Sequence, residues 1–161
     1  MLTDYLLVAA CVVFAERLRR QSASLRGLVL LWWTGFRATA AAAVAGGTAH
    51  GFALFLGLQR LRVLWMFTVF LIGAATVLIL AAGLLSVSRP AVGQSTSWLK
   101  RGLLVSLAAL AVLPIRFSLH EHFNYNDIFH VVQTAGMYCF YRAAALQASR
   151  TETGTSCHNE S

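Results

Sequence analysis

The feature that most constrains this chain is an apolar stretch at residues 63–87 that contains no charged side chain. A helix rises about 1.5 Å per residue, so this stretch is long enough to cross the roughly 30 Å of hydrocarbon in a bilayer. Backbone polar groups in lipid must be bonded within the chain, which a helix achieves by itself. The stretch therefore predicts a membrane-spanning helix.

The composition extends this prediction to the whole chain. Hydrophobic residues make up 58% of the 161 residues and charged residues only 12%, whereas a soluble domain carries about 25% charged residues. The mean hydropathy is +0.66. A water-soluble fold of this size could not bury so much apolar surface, because its surface-to-volume ratio is too high. We therefore expect an all-α integral membrane bundle.

Five apolar segments predict a bundle of about five transmembrane helices. They lie at 2–14, which snorkelling arginines extend to 18, and at 28–56, 63–87, 102–115 and 127–146. The polar segment 88–97 is predicted to be a loop, with Pro90 and Gly93 as breakers. We expect residues 1–148 to form the bundle and residues 149–161 a disordered polar tail. A four-span arrangement, with the N-terminal segment lying in the interface, stays open.

The Lys and Arg residues predict the orientation of the bundle. One set of alternate loops and ends carries nine of them: Arg17, Arg19, Arg20, Arg26, Arg89, Lys100, Arg101, Arg142 and Arg150. The other set carries three: Arg60, Arg62 and Arg116. Because positively charged loops stay in the cytoplasm, the N-terminus is predicted outside and the C-terminus in the cytoplasm. The expected location is the bacterial inner (plasma) membrane.

The charge and the cysteines exclude several other classes of protein. The net charge of +7 is explained by the positive-inside rule, and no basic patch alternates with aromatic residues as single-strand nucleic-acid binders require. We therefore expect no nucleic-acid partner. Cys11, Cys139 and Cys157 form no C-x-x-C pair, so neither a disulfide framework nor a zinc–thiolate site is predicted.

A polar cluster stands at the start of the last predicted span, in the stretch HEHFNYNDIFH at 120–130. Asp127 and His130 are three residues apart and therefore share one helix face. His122, Asn124 and Asn126 precede the helix and could fold back on it. The alternative is structural: Asn124 or Asn126 is an N-cap, and Asp127 interacts favourably with the helix dipole.

His50 lies near the outer end of the second predicted span, on the same side of the membrane as His130. Small residues share its face and let another helix pack closely: Thr39, Ala43, Gly46 and Gly47. We expect His50 to point at a neighbouring helix. It is either a third ligand of the outer cluster or a histidine that is hydrogen-bonded across that interface.

These residue types suit a zinc site. Histidine and carboxylate ligands without thiolates can hold zinc and leave one position for a water whose pKa falls to about 7. The leading hypothesis is a metal-dependent hydrolase that acts on a membrane lipid at the outer leaflet, with His50, His122 and His130 as ligands and Asp127 as ligand or general base. Two alternatives stay open: a non-enzymatic subunit or scaffold with a membrane-protein partner or a second copy, and a haem-binding redox anchor.

Three segments resemble a family of small, uncharacterised bacterial multispan proteins. They are T-D-Y-L-L at 3–7, the G-G-x-x-H-G at 46–51, and H-F-N-Y-N-D-I-F-H at 122–130, where Tyr125 replaces an expected histidine. More distantly, the membrane histidine and the D-x-x-H are similar to the alkaline ceramidases and adiponectin receptors. That similarity implies zinc held by His50 and His130, with Asp127 as ligand or base, although those proteins have seven helices.

Overall fold

The computed structural model describes residues 2–22, 27–88, 93–115, 120 and 123–156. These residues form five α-helices: α1 (Leu2–Arg20), α2 (Gly27–Gly51), α3 (Ala53–Ser88), α4 (Gly93–Ile115) and α5 (Tyr125–Ser156). The predicted all-α class is confirmed. Three of the helices, α2, α3 and α4, are long and apolar enough to cross a membrane.

The boundary between the second and third helices differs from the predicted one. α2 ends at Gly51 instead of continuing to residue 56, and α3 already begins at Ala53. The backbone bends again at Gly57, where φ is 67° and ψ is 154°. A residue with a Cβ rarely adopts a positive φ, so the glycine permits this bend.

The predicted loop at 88–97 is wrong in its second half, because α4 already begins at Gly93. Its serines are bonded within the bundle. Ser97 Oγ donates to the Gly93 carbonyl at 2.9 Å, and the buried Ser95 Oγ donates to the Ala143 carbonyl of α5 at 3.2 Å. At the other end of the chain α5 continues to Ser156, into the segment expected to be disordered, and residues 157–161 lie outside the described residues.

The helices pack in the spatial order α3, α2, α1, α5, α4. α1 and α5 run in the same direction, because Thr3 meets Asp127 at one end while Phe14 stacks on Tyr141 further along. α2 runs against α1, because Gly47 lies on Asp4. The two ends of the bundle are named below the Asp4 end and the Arg20 end.

The outer two helices also alternate in direction. Gly46 of α2 lies against Thr68 of α3, and Gly35 lies against Ile79, so α3 runs against α2. Ser95 at the start of α4 bonds to Ala143 of α5, whereas Ser106 lies further along α4 against the earlier Gly136, so α4 runs against α5. Each helix therefore runs opposite to the next one along the chain.

α1 lies between α2 and α5 and buries one face over its whole length. The buried residues recur at helical spacing: Thr3, Asp4, Leu7, Cys11, Ala15 and Leu18. α3 and α4 are at the edges and expose most of their apolar side chains. The three inner helices α2, α1 and α5 each pack between two neighbours, and the two more polar helices, α1 and α5, are among them. Polar groups are tolerated at such protein-covered positions of a membrane bundle.

Candidate functional site

The site at the Asp4 end begins with the N-cap of α5. Asn124 Oδ1 accepts the backbone N–H of Asn126 at 2.9 Å and that of Asp127 at 3.4 Å. In return, Asp127 Oδ2 accepts the backbone N–H of Asn124 at 3.2 Å. This reciprocal pairing is a capping box with aspartate in the third position. Of the two predicted N-cap candidates, Asn124 takes the role and Asn126 lies in the first turn.

The second oxygen of Asp127 joins α5 to α1. Thr3 Oγ1 donates to Asp127 Oδ1 at 2.6 Å, and both residues are buried. The two residues are 124 positions apart in the chain. A buried carboxylate is costly unless its oxygens accept hydrogen bonds, and here each oxygen has a donor. Asp127 therefore fixes both the start of α5 and the position of α1 against it.

Asp4 and His130 form a second connection between the same two helices. His130 Nδ1 lies 3.1 Å from Asp4 Oδ1, and the side chains are 14% and 5% exposed. The distance is that of an ion pair, but the ring N–H is not aligned with the oxygen, and Nδ1 has no hydrogen-bond partner among the described residues. Thr134, one turn later, bonds only to the His130 carbonyl, at 2.7 Å.

Helix α2 closes the site from a third side. A Cβ placed on Gly47 would lie 2.9 Å from the Asp4 Cβ, which real Cβ atoms essentially never approach. Gly47 thus allows the backbone of α2 to lie directly against Asp4. The small residues of α2 permit close helix packing, as predicted from the sequence. The helices that pack against them are α1 and α3.

His50 is at the same end of the bundle, one helical turn beyond Gly47, but its side chain is exposed. Its ring meets the edge of the Trp65 ring of α3, with centroids 5.5 Å apart. The structure therefore places His50 beside the predicted cluster, in contact with the neighbouring helix α3.

The predicted zinc set is only partly within the described residues. His122 lies outside them, and within the described ranges no three His, Cys, Asp or Glu side chains form a group that could hold a metal ion. His130 Nδ1, which has no hydrogen-bond partner among the described residues, and the neighbouring Asp4 Oδ1 are two atoms of the types that coordinate zinc. The residues described therefore do not by themselves complete a zinc site.

Thr3 and Asp4 are the site residues that sequence reasoning missed. The signal was present, because Asp4 and Asp127 are the two acids inside the five apolar segments when the first is taken as 2–14, without its extension to 18. Ionisable groups in such segments usually face a partner in the bundle. Asp4 was read only as part of an N-terminal motif, and no local pattern indicated which helix it would meet.

Within the described residues, fold and site together define an all-α protein of five helices, three of them potential membrane spans, with a buried polar cluster at one end. The chain belongs to a family of unknown function (DUF6962), whose model matches residues 1–99 and 91–149. No curated protein and no solved structure matches the chain significantly. The similarity to alkaline ceramidases and adiponectin receptors therefore has no support from these comparisons.

Proposed function

We propose that this chain is a non-enzymatic integral membrane protein, a subunit or scaffold, in which the cluster at the Asp4 end locks the N-terminal helix into the bundle. One observation carries the proposal: the two buried aspartates connect α1 and α5. Asp127 of α5 accepts a hydrogen bond from Thr3 of α1 and one from the cap of its own helix, and Asp4 of α1 lies beside His130 of α5. Such contacts orient helices, and a buried set of this kind specifies one arrangement of an otherwise apolar bundle.

The arrangement of the helices supports five spans in the inner membrane. Successive helices alternate in direction, as successive membrane spans must, and the two more polar helices, α1 and α5, pack against each other inside the bundle. The Arg20 end carries most of the basic residues, which favours a cytoplasmic position for this end and an outer position for Asp4. The exposed apolar sides of α3 and α4 then face lipid, a partner subunit or a second copy.

A second candidate is the metal-dependent lipid hydrolase, which one observation favours. His130 Nδ1 is buried and has no hydrogen bond to any of the described residues, although a carboxylate oxygen of Asp4 lies 3.1 Å away. Neighbouring ligands of a single zinc ion are separated by about this distance, since each lies roughly 2 Å from the metal. The third ligand would come from His122, or from His50 if its exposed ring turned from Trp65 toward the pair, because the described residues hold no preformed group of three. Bound zinc would supply an acidified water for hydrolysis of an ester or amide.

Metal content and stability of two variants separate the candidates. The purified chain is analysed for metals, haem absorbance and thermal unfolding in detergent, together with His130→Ala and His50→Ala. If the cluster holds α1 in the bundle, we expect His130→Ala to lower the unfolding temperature and His50→Ala to leave it unchanged. We also expect no sample to hold stoichiometric metal. His50 is the matched control because its exposed ring contacts only Trp65 among the described aromatic rings.

One zinc per chain, lost in both variants, would overturn the structural proposal in favour of the hydrolase. A Soret absorbance lost in both variants would instead indicate the haem anchor. An unfolding temperature that is unchanged in His130→Ala, with no metal in any sample, would contradict the structural role of the cluster as well. The buried pair of Asp4 and His130 would then contribute nothing to stability.

A further inference from the structure

A cleft of about 600 Å³ opens between α1 and α5 at the Arg20 end, away from the site described above. Three polar side chains line it from the end of α1 and the residue that follows: Arg17, Arg20 and Gln21. Four more line it from α5: Tyr138, Tyr141, Arg142 and Ser149. The cleft therefore presents three guanidinium groups, two phenol hydroxyls, one serine hydroxyl and one amide toward the same space.

The charge of this cleft is not balanced by the residues that line it. None of its lining residues is acidic. The nearest carboxylate along α1, that of Glu16, accepts a hydrogen bond at 2.8 Å from Arg19, which does not line the cleft. Arg17 and Arg20 are both exposed. Three cations that converge without a carboxylate attract an anion from outside the chain.

The α5 side of the cleft is held in place by its own contacts. Arg142 Nη1 donates to Tyr138 Oη at 3.2 Å, and the guanidinium carbon lies 5.3 Å from the centre of the Trp98 ring. Gln21 Nε2 donates to Tyr141 Oη at 3.5 Å across the two helices. Because these groups are already positioned, an anion that binds here does not have to order them.

Both the chemistry and the position favour a phosphate group. Guanidinium groups bind phosphate oxygens through paired hydrogen bonds. Basic pockets between membrane helices at the cytoplasmic end are suited to phospholipid headgroups, and Ala145 and Leu146 add apolar lining. We propose that this cleft binds the phosphate of an anionic phospholipid of the membrane. The proposal does not depend on the function of the Asp4 end.

The test measures lipid binding by the full chain in an uncharged detergent. Short-chain phosphatidylglycerol, phosphatidylcholine and inorganic phosphate are titrated separately, and bound ligand per chain is read by native mass spectrometry. We expect phosphatidylglycerol to bind, and the double variant R17Q/R20Q to weaken its binding about tenfold or more, because two charge-assisted hydrogen-bonding groups are lost. Phosphatidylcholine and inorganic phosphate are expected to bind much more weakly.

Arg19→Gln is the matched control, because Arg19 is on the same helical turn, is exposed and is paired with Glu16. It removes one positive charge without touching the cleft, so we expect less than about a twofold change in affinity. Both altered arginines are exposed, and an unchanged unfolding temperature verifies that the double variant is folded.

Three outcomes would overturn the proposal. An equal loss of binding per charge removed in R19Q and R17Q/R20Q would show that general surface charge attracts the lipid. Wild-type affinity in the folded double variant would show that the cleft is not the site. Inorganic phosphate that binds as tightly as phosphatidylglycerol would make the ligand a soluble anion rather than a lipid.

Discussion

At the scale of single residues, the central question is how an apolar bundle accommodates two buried aspartates. Asp127 is 7% exposed and Asp4 is 3% exposed. Asp127 has a donor for each oxygen, the hydroxyl of Thr3 and the backbone N–H of Asn124. Asp4 lies beside the imidazole of His130. Such pairing offsets the desolvation that makes an unpaired buried carboxylate unfavourable.

Thr3→Val is expected to lower the free energy of unfolding by about 1 kcal/mol. Valine keeps the shape of the side chain but leaves Asp127 Oδ1 without this donor. This loss is smaller than is typical for a hydrogen bond to a charged group, because an unfolded chain in the membrane also finds hydrogen-bond partners. The measurement is denaturant-induced unfolding in detergent micelles, followed by circular dichroism.

Thr76→Val is the control for this substitution. Thr76 is exposed on α3, and its hydroxyl bonds only to the Ile72 carbonyl of its own helix, at 2.8 Å. Its replacement should change the free energy of unfolding by less than about 0.5 kcal/mol. If both valine variants lose the same free energy of unfolding, the hydrogen bond between α1 and α5 stabilises the protein no more than a hydrogen bond within one helix does.

At the scale of elements, backbone separation decides where the site forms. α2 can approach α1 closely only because Gly47 lacks a side chain at the point where Asp4 lies. The other side of α2 meets α3 in the same way, with Gly35 against Ile79. Van der Waals contact between closely spaced backbones is a main source of helix association in lipid, where the hydrophobic effect between helices is absent.

Gly47→Ala is expected to destabilise the protein by about 1–3 kcal/mol, because the new methyl group overpacks the contact with Asp4. Gly73→Ala is the matched control, since no atom lies within 4 Å of the added Cβ on α3. It should be neutral or stabilise the helix by up to about 1 kcal/mol. Thermal unfolding of both variants in one detergent provides the comparison, and equal unfolding temperatures would contradict the close approach.

A second polar connection acts between elements near the Arg20 end. Gln147 of α5 accepts a hydrogen bond from Ser86 of α3 and donates one to Ser95 of α4, each at 2.8 Å. α3 and α4 otherwise pack on opposite sides of the bundle. One glutamine therefore joins the two edge helices to the centre, which explains why the start of α4 is helical although its composition resembles that of a loop.

At the scale of the whole molecule, the alternating helices form a bundle whose two ends differ in chemistry. The Asp4 end holds the aspartates and His130, and the Arg20 end holds the basic cleft. The order α3, α2, α1, α5, α4 makes the first helix central, although the first helix is adjacent in sequence only to α2. The N-terminal helix therefore completes the bundle by packing against the last helix, over a long separation in the chain.

Cysteine labelling tests the proposed topology in intact cells. In a Cys157→Ser background, a membrane-impermeant maleimide should label Leu2→Cys and Phe52→Cys, which are exposed at the Asp4 end. Ser149→Cys, which is exposed at the Arg20 end, should react only after the cells are permeabilised. Cys11 and Cys139 are buried and should remain unlabelled.

The position of Leu2 separates five spans from four. If the N-terminal segment lay in the cytoplasmic interface, Leu2→Cys would be protected in intact cells while Phe52→Cys reacted. That result would contradict the parallel packing of α1 on α5. Labelling of Ser149→Cys in intact cells would reverse the proposed orientation.

Hydropathy and spacing alone determined much of this protein. The five helices, the shared face of Asp127 and His130 and a cap at Asn124 or Asn126 follow from patterns within a few residues, because helical hydrogen bonds and caps are local. The end of α2 and the start of α4 were not predictable in this way. The end of α2 depends on the turn that precedes Gly57, and the start of α4 depends on the hydrogen bond from Ser95 to α5.

Only the tertiary structure decided which side chains complete the site. Thr3 and Asp127, and likewise Asp4 and His130, are separated by more than a hundred residues. Their meeting depends on α1 packing parallel to α5 and on Gly47 admitting α2. Hydropathy encodes that a segment is buried, but it carries no information on its neighbour, because lipid is as apolar as the side chains of a packed helix.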